Sequence, residues 1–218
     1  MSYFWIIIYI LFVLFILTIF FWSTIILQQQ KKAWQTFAKK HGLLLHKGGF
    51  FETHTVEGNY KKNKINLFSQ EKIDESSRGM VKYRTAMEIV FDYGFPGTGA
   101  LGNIGAMRVV EVLNFGPTFH PENSDWNESH LVTASNRDFI KAYLTPKRME
   151  KLNTFFNMPN AVVMMVFNND DTFLRVETTD PMTEPAKIEK FFDKLVALID
   201  DLKLTEKERK KWAPSKTS

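Results

Sequence analysis

A dinucleotide pyrophosphate is gripped by glycines that open directly onto a helix N-terminus. Gly97-Thr98-Gly99-Ala100-Leu101-Gly102 has the matching G-x-G-x-x-G spacing. Asn103, Ile104 and Gly105 intervene, however, and residues 107–115 then carry a β-type pattern rather than a helical one. The glycines therefore read as a flexible connection between two strands. Gly94, Gly97, Gly99, Gly102 and Gly105 together fit a mobile loop, either a lid or a partner-binding segment. No lysine of the Walker type follows, and no cofactor is expected.

The histidines give no metal set. His41 and His46 flank Gly42 and do not share a helical face as the pair in H-E-x-x-H does. His46 and His54 would converge if their segments pair, with Glu52 or Glu57 nearby, but a third ligand has to come from elsewhere. His120 and His130 complete the set, and all five read as surface or strand histidines. Nucleophilic chemistry fares no better. There is no G-x-S-x-G elbow. Glu88, Glu111 and Glu177 alternate with apolar neighbours and read as solvent-facing strand residues. The chain has no cysteine, which removes thiol catalysis, iron–sulfur clusters and thiolate zinc sites. Asn127-Glu128-Ser129 fits a glycosylation sequon, relevant only in a secretory pathway. The residues name no catalytic group.

The elements that carry these residues begin with an apolar run. From Tyr3 to Leu27 no side chain is charged. At 1.5 Å per residue the run is about 37 Å long, enough for a hydrocarbon core of about 30 Å. Trp5 and Trp22 suit the two interfaces. The n-region lacks Lys and Arg and no small-x-small site follows, so a retained transmembrane anchor is expected rather than a cleaved signal. Lys31, Lys32, Lys39, Lys40 and Lys47 follow the run, so the positive-inside rule places the rest of the chain in the cytoplasm.

Beyond the anchor the pattern is α+β. Trp34, Phe37, Ala38 and His41 extend the first helix to a Gly42 cap. Residues 53–60 and 64–70 read as a hairpin, 71–79 as a charged loop, and 81–92 as a strand. Residues 107–115 read as another strand and 130–133 as a short edge strand. Ser135 is placed to cap a helix, and Thr145-Pro146 restarts it. Residues 161–167 and 172–178 form a second hairpin, its first strand buried on both faces. Ile188, Phe191, Phe192, Leu195, Ile199 and Leu202 line an amphipathic helix, and Thr205-Glu206-Lys207-Glu208 resembles a capping box. Runs of strands followed by helices argue a largely antiparallel sheet packed with amphipathic helices.

The expected organisation is an anchor over 1–30, an α+β domain over 31–204 and a basic tail over 205–218. A division of the domain into two lobes would fall near 94–105 or 116–134. Net charge is +4, and the densest basic runs, Lys61, Lys62 and Lys64 and the stretch from Lys203 to Lys216, read as a solvated turn and terminus. No nucleic-acid partner is expected.

Trp34, Phe37-Ala38, His41-Gly42-Leu43, Val56-x-Gly58-x-Tyr60, Tyr83-Arg84-Thr85, Leu144-Thr145-Pro146 and the closing helix resemble, in layout, bacterial single-pass membrane-anchored proteins of uncharacterised families. The resemblance implies an α+β domain behind one helix in a bacterial plasma (inner) membrane, and it carries no activity. The reading that follows is a non-enzymatic protein that binds or positions a protein partner at the lipid bilayer. Its alternative is a membrane-tethered enzyme or ligand-binding domain for a lipid-derived or small hydrophobic substrate, with the 94–105 loop as lid.

Overall fold

The computed structural model describes residues 2–74, 80–116, 118, 120–121 and 126–212. Helix α1 (Ser2–His41) is continuous from the apolar run into the domain. Gly42, at φ 64°, ends it in the left-handed conformation that only glycine adopts freely. The helix is long and apolar enough to cross a membrane.

Eight strands form one antiparallel sheet: β1 (Leu44–His46), β2 (Thr55–Tyr60), β3 (Asn63–Asp74), β4 (Met80–Val90), β5 (Gly99–Gly102), β6 (Leu131–Ala134), β7 (Ala161–Phe167) and β8 (Thr172–Thr178). Their order across the sheet is β1-β2-β3-β4-β8-β7-β5-β6. The first four strands form a meander. The β7–β8 hairpin then returns to pair β8 with β4, which leaves β5 between β7 and β6. Strands β5 and β6, which fall within the segments 94–105 and 116–134, belong to this same sheet. The expected charged loop over 71–79 begins later, because β3 stays paired with β4 as far as Asp74 opposite Met80.

One face of the sheet carries the main core. Val56, Ile65, Leu67, Met87, Ile89, Leu174, Val176, Val163 and Met165 point to it and are buried. Helices α3 (Arg137–Tyr143), α4 (Pro146–Phe156) and α5 (Pro185–Leu202) cover it, together with the last turns of α1. Trp34 and Phe37 of α1 are fully buried. The Phe37 ring meets Phe192 of α5 edge-on at 5.3 Å. Asn136, rather than Ser135, caps α3 by accepting from the Phe139 amide, whereas Thr145 caps α4 as expected.

The other face has a smaller apolar cluster. Ala100, Val162, Met164 and Val166 are covered there by Ala106 and Val110. These last two belong to a 3-10 turn (Ile104–Ala106) that runs into α2 (Met107–Leu113). The strand expected over 107–115 is thus a helix. Its valines favour strands intrinsically, but Ala106, Val109 and Val110 sit at helical spacing and bury one stripe on β5 and β7, and that packing overrides propensity. A final helix α6 (Glu206–Trp212) follows the Thr205 capping box. Glu208 accepts from the Thr205 amide at 2.8 Å, and Thr205 Oγ1 accepts from the Glu208 amide at 3.3 Å.

Candidate functional site

Across its centre the glycine-rich segment is sheet. Gly99 to Gly102 are all buried, and their backbone pairs with β6 on one side and β7 on the other. A Cβ on Gly99 would come within 2.3 Å of the Phe167 ring and 2.7 Å of the Thr133 carbonyl, so this glycine is required by close packing. With the ladder complete on both sides, these residues have no spare amide row to offer a phosphate. Gly94 and Gly97 lie in the turn before β5, and Gly105 lies in the 3-10 turn after it.

The titratable residues stay dispersed. His46 bonds Glu57 at 2.7 Å on the surface, through pairing of β1 with β2. His54 is mostly buried and accepts from the Gly48 amide through Nδ1 at 3.2 Å. Burial, then the charges of Lys31 and Lys47, hold its pKa below the ordinary histidine value. His41 joins α1 to α5 by a 2.9 Å contact with Glu189, which Lys40 also reaches at 3.0 Å. His130 is buried and bonds Asn153 at 2.8 Å, and His120 is exposed. No group of three His, Cys, Asp or Glu that could hold a metal occurs among the described residues.

All three glutamates expected on strands differ from expectation. Glu88 and Glu177 do not face solvent, since their side chains are only 17% and 4% exposed. Arg175 lies between them, 3.8 Å from Glu88 and 3.1 Å from Glu177, over the Phe68 ring and bonded to Gln70. Asn66 donates to Glu88 at 3.1 Å. Alternation had placed them correctly on the face away from the main core, but it carries no information on whether that face is wet. The third, Glu111, is exposed on α2 and not on a strand. Among the described residues, His46, His54, Glu88 and Glu111 do not converge.

What the fold does build is a cleft of about 370 Å³ where α1 meets the domain. One wall is α1 itself, from Phe20 through Ser23, Thr24 and Leu27 to Gln30. The other is assembled from Phe51 and Thr53, from Ser69 and Thr85 on β3 and β4, and from Thr179 and Pro181 after β8. Gln30 Nε2 lies 3.5 Å from Ser69 Oγ and bridges the walls. Arg84 borders the cleft, but alternation puts it on the same side of β4 as Ala86 and Glu88. The lining is hydroxyls, the Gln30 amide and Arg84 on apolar walls, chemistry that suits an amphipathic molecule. A more open hollow of about 580 Å³ continues from Ile26 to Gln29, bordered by Asn160, Asp180 and Lys187.

The residues expected to anchor the chain divide at this cleft. Tyr3, Trp5 and Trp22 are 82%, 65% and 67% exposed. Leu27 is half-buried against the domain, so the bare part of α1 ends near Trp22. Lys32 is exposed, whereas Lys31 is buried and donates to the carbonyls of Gly49 and Phe50 at 2.5 and 3.0 Å. The turn that Lys31 holds carries Phe50 and Phe51, which were not singled out in the sequence. Their signal was two adjacent phenylalanines after Gly48-Gly49, where a turn should be polar.

Compared with known proteins, the chain matches no family model, no curated sequence and no solved structure.

Proposed function

We propose that this chain is a single-pass protein of a bacterial plasma membrane whose cytoplasmic α+β domain binds or positions a protein partner at the bilayer surface. The observation that carries this reading is the continuity of α1, one helix from Ser2 to His41 whose last turns are core. Such a joint transmits position and orientation, which a flexible tether does not. A hydrocarbon core of about 30 Å takes about 20 residues. Tyr3 to Trp22 supply that length, and burial against the domain begins at Thr24. Lys32, Lys39 and Lys40 at the domain end support the cytoplasmic side, with Lys31 engaged internally.

Cross-linking and affinity capture of the full chain from native membranes is expected to enrich one protein reproducibly. Recovery of nothing beyond abundant bystanders would count against the reading. A phosphatase that is active only outside the cytoplasm, fused after Ser218, is expected to stay silent; strong activity would reverse the orientation.

The cleft favours a second reading, a binding domain for a lipid-derived or small hydrophobic molecule. It borders the apolar helix and is lined by Phe20, Phe51 and Pro181. Gly94 would not act as its lid, because that glycine lines a different cavity with Tyr93 and Trp212. Mass spectrometry of the purified full chain would then detect a retained lipid, lost when Thr85→Trp fills the cleft.

A further inference from the structure

The apolar surface of α1 is not the only one the domain presents at this end. Phe50 and Phe51 are the central residues of a turn closed by the Glu52 amide donating to the Gly49 carbonyl at 3.3 Å. Their side chains are 64% and 67% exposed, although polar residues dominate such turns. The two rings pack edge to face at 4.8 Å. Phe51 also lies 6.1 Å from Phe20, a residue inside the uncharged stretch of α1.

The turn is held in place from several directions. Lys31 reaches across from α1 to two of its carbonyls. The Glu52 carboxylate accepts from the Gly49 amide at 2.8 Å, and His54 accepts from the Gly48 amide. A Cβ on Gly48 would lie 2.1 Å from the Thr53 carbonyl, so only glycine permits this approach. Burying a lysine with carbonyls as its partners is costly. The fold accepts that cost at a turn from which Phe50 and Phe51 project.

We infer that the Phe50–Phe51 turn is a second membrane contact, inserting into the interfacial layer of the phospholipid bilayer beside α1. The inference rests on the reading that α1 crosses the membrane. Phe20 lies two residues before Trp22, about 3 Å along the helix, so its neighbour Phe51 sits at the level of the interfacial aromatic belt. The occupant is lipid rather than a protein groove, because the pair is continuous with the lipid-facing surface of α1. Two contacts, a span and a turn beside it, fix the tilt of the domain as a single helix cannot.

The chain has no cysteine, so one introduced thiol reports one place. Full-length Phe51→Cys, Phe50→Cys, Ile16→Cys and Asn59→Cys variants would each be labelled with an environment-sensitive fluorophore and reconstituted in phosphatidylethanolamine–phosphatidylglycerol vesicles. Lipids with a quencher near the carbonyl end of the acyl chain and aqueous iodide would then be compared. Labels at 50 and 51 are expected to be quenched several-fold more by the lipid, and less by iodide, than the label at exposed Asn59. If they behave like position 59 while position 16 is lipid-quenched, the inference fails and the span stands. If they are shielded from iodide without lipid quenching, protein covers the turn and the inference fails again. If position 16 is not lipid-quenched either, the span itself is wrong and the inference falls with it.

Discussion

Arg148 is buried to 6% exposure, a position few arginines occupy, and its partners explain why. It makes a fork to both oxygens of Glu208 at 2.8 and 2.9 Å, and donates to the carbonyls of Tyr143 and Lys203 at 3.1 and 2.8 Å. One side chain thus ties the ends of α3 and α5 to the start of α6. The Arg148 guanidinium, then the Thr205 amide and hydroxyl, hold the Glu208 carboxyl at a pKa of about 2 against burial, which acts the other way. Since the folded value is depressed, the stability it contributes is complete above the ordinary value of 4.5 and is lost as pH falls through about 2. Glu208→Gln is expected to destabilise the domain by about 1–3 kcal/mol, less than the ~3–5 for breaking a fully buried pair because Glu208 keeps some solvent. Denaturant unfolding of the full chain in micelles at pH 7 and pH 3 would measure this. The variant should narrow the difference in stability between the two pH values.

At the scale of elements, α1 and α5 meet through Phe37, Phe192, His41 and Glu189. Phe37→Ala leaves a cavity where no exposed group can collapse, and is expected to cost about 3–5 kcal/mol in the same unfolding measurement. A loss below about 1 kcal/mol would mean that α1 is a tether merely resting on the domain. Both helices were legible because Trp34, Phe37 and Ala38, and Ile188, Phe192, Leu195 and Ile199, repeat at a period that only a helix satisfies. The β7–β8 hairpin was legible for a different reason, a short continuous apolar run turning through Asn168 to Asp171. The helix over 107–113 was not, since a seven-residue stripe with three valines satisfies either period until the sheet it covers is known. The four residues of β5 were hidden by their two glycines, which mark flexibility in isolation and close packing here. The cleft could not be read at all. Phe20, Thr53, Ser69, Thr85 and Thr179 come from five separate segments, and no local spacing records their meeting.

For the whole molecule, the domain-facing stripe of α1 begins at Phe20 and passes through Thr24, Leu27, Lys31 and Trp34 to Phe37 and His41. It holds one face for the length over which helix and domain touch. The apolar stretch of α1 and the domain core are therefore in fixed rotational phase. Phase can be changed without touching either. One alanine inserted between Gln28 and Gln29 turns everything before it by about 100° and advances it by about 1.5 Å. The core residues from Gln30 onward keep their places, so the domain should still fold cooperatively, losing only the half-buried contacts between Thr24 and Gln28. Phe20, however, leaves Phe51, and the cleft loses its helical wall. A four-residue insertion turns the apolar stretch by about 400°, which restores the face to within about 40° while displacing it by about 6 Å. If orientation at the membrane is what the domain supplies, capture of the proposed partner should fall sharply with one inserted residue and recover in part with four. A tether would give equal capture from both insertions and from the parent, and that result would reduce α1 to an anchor.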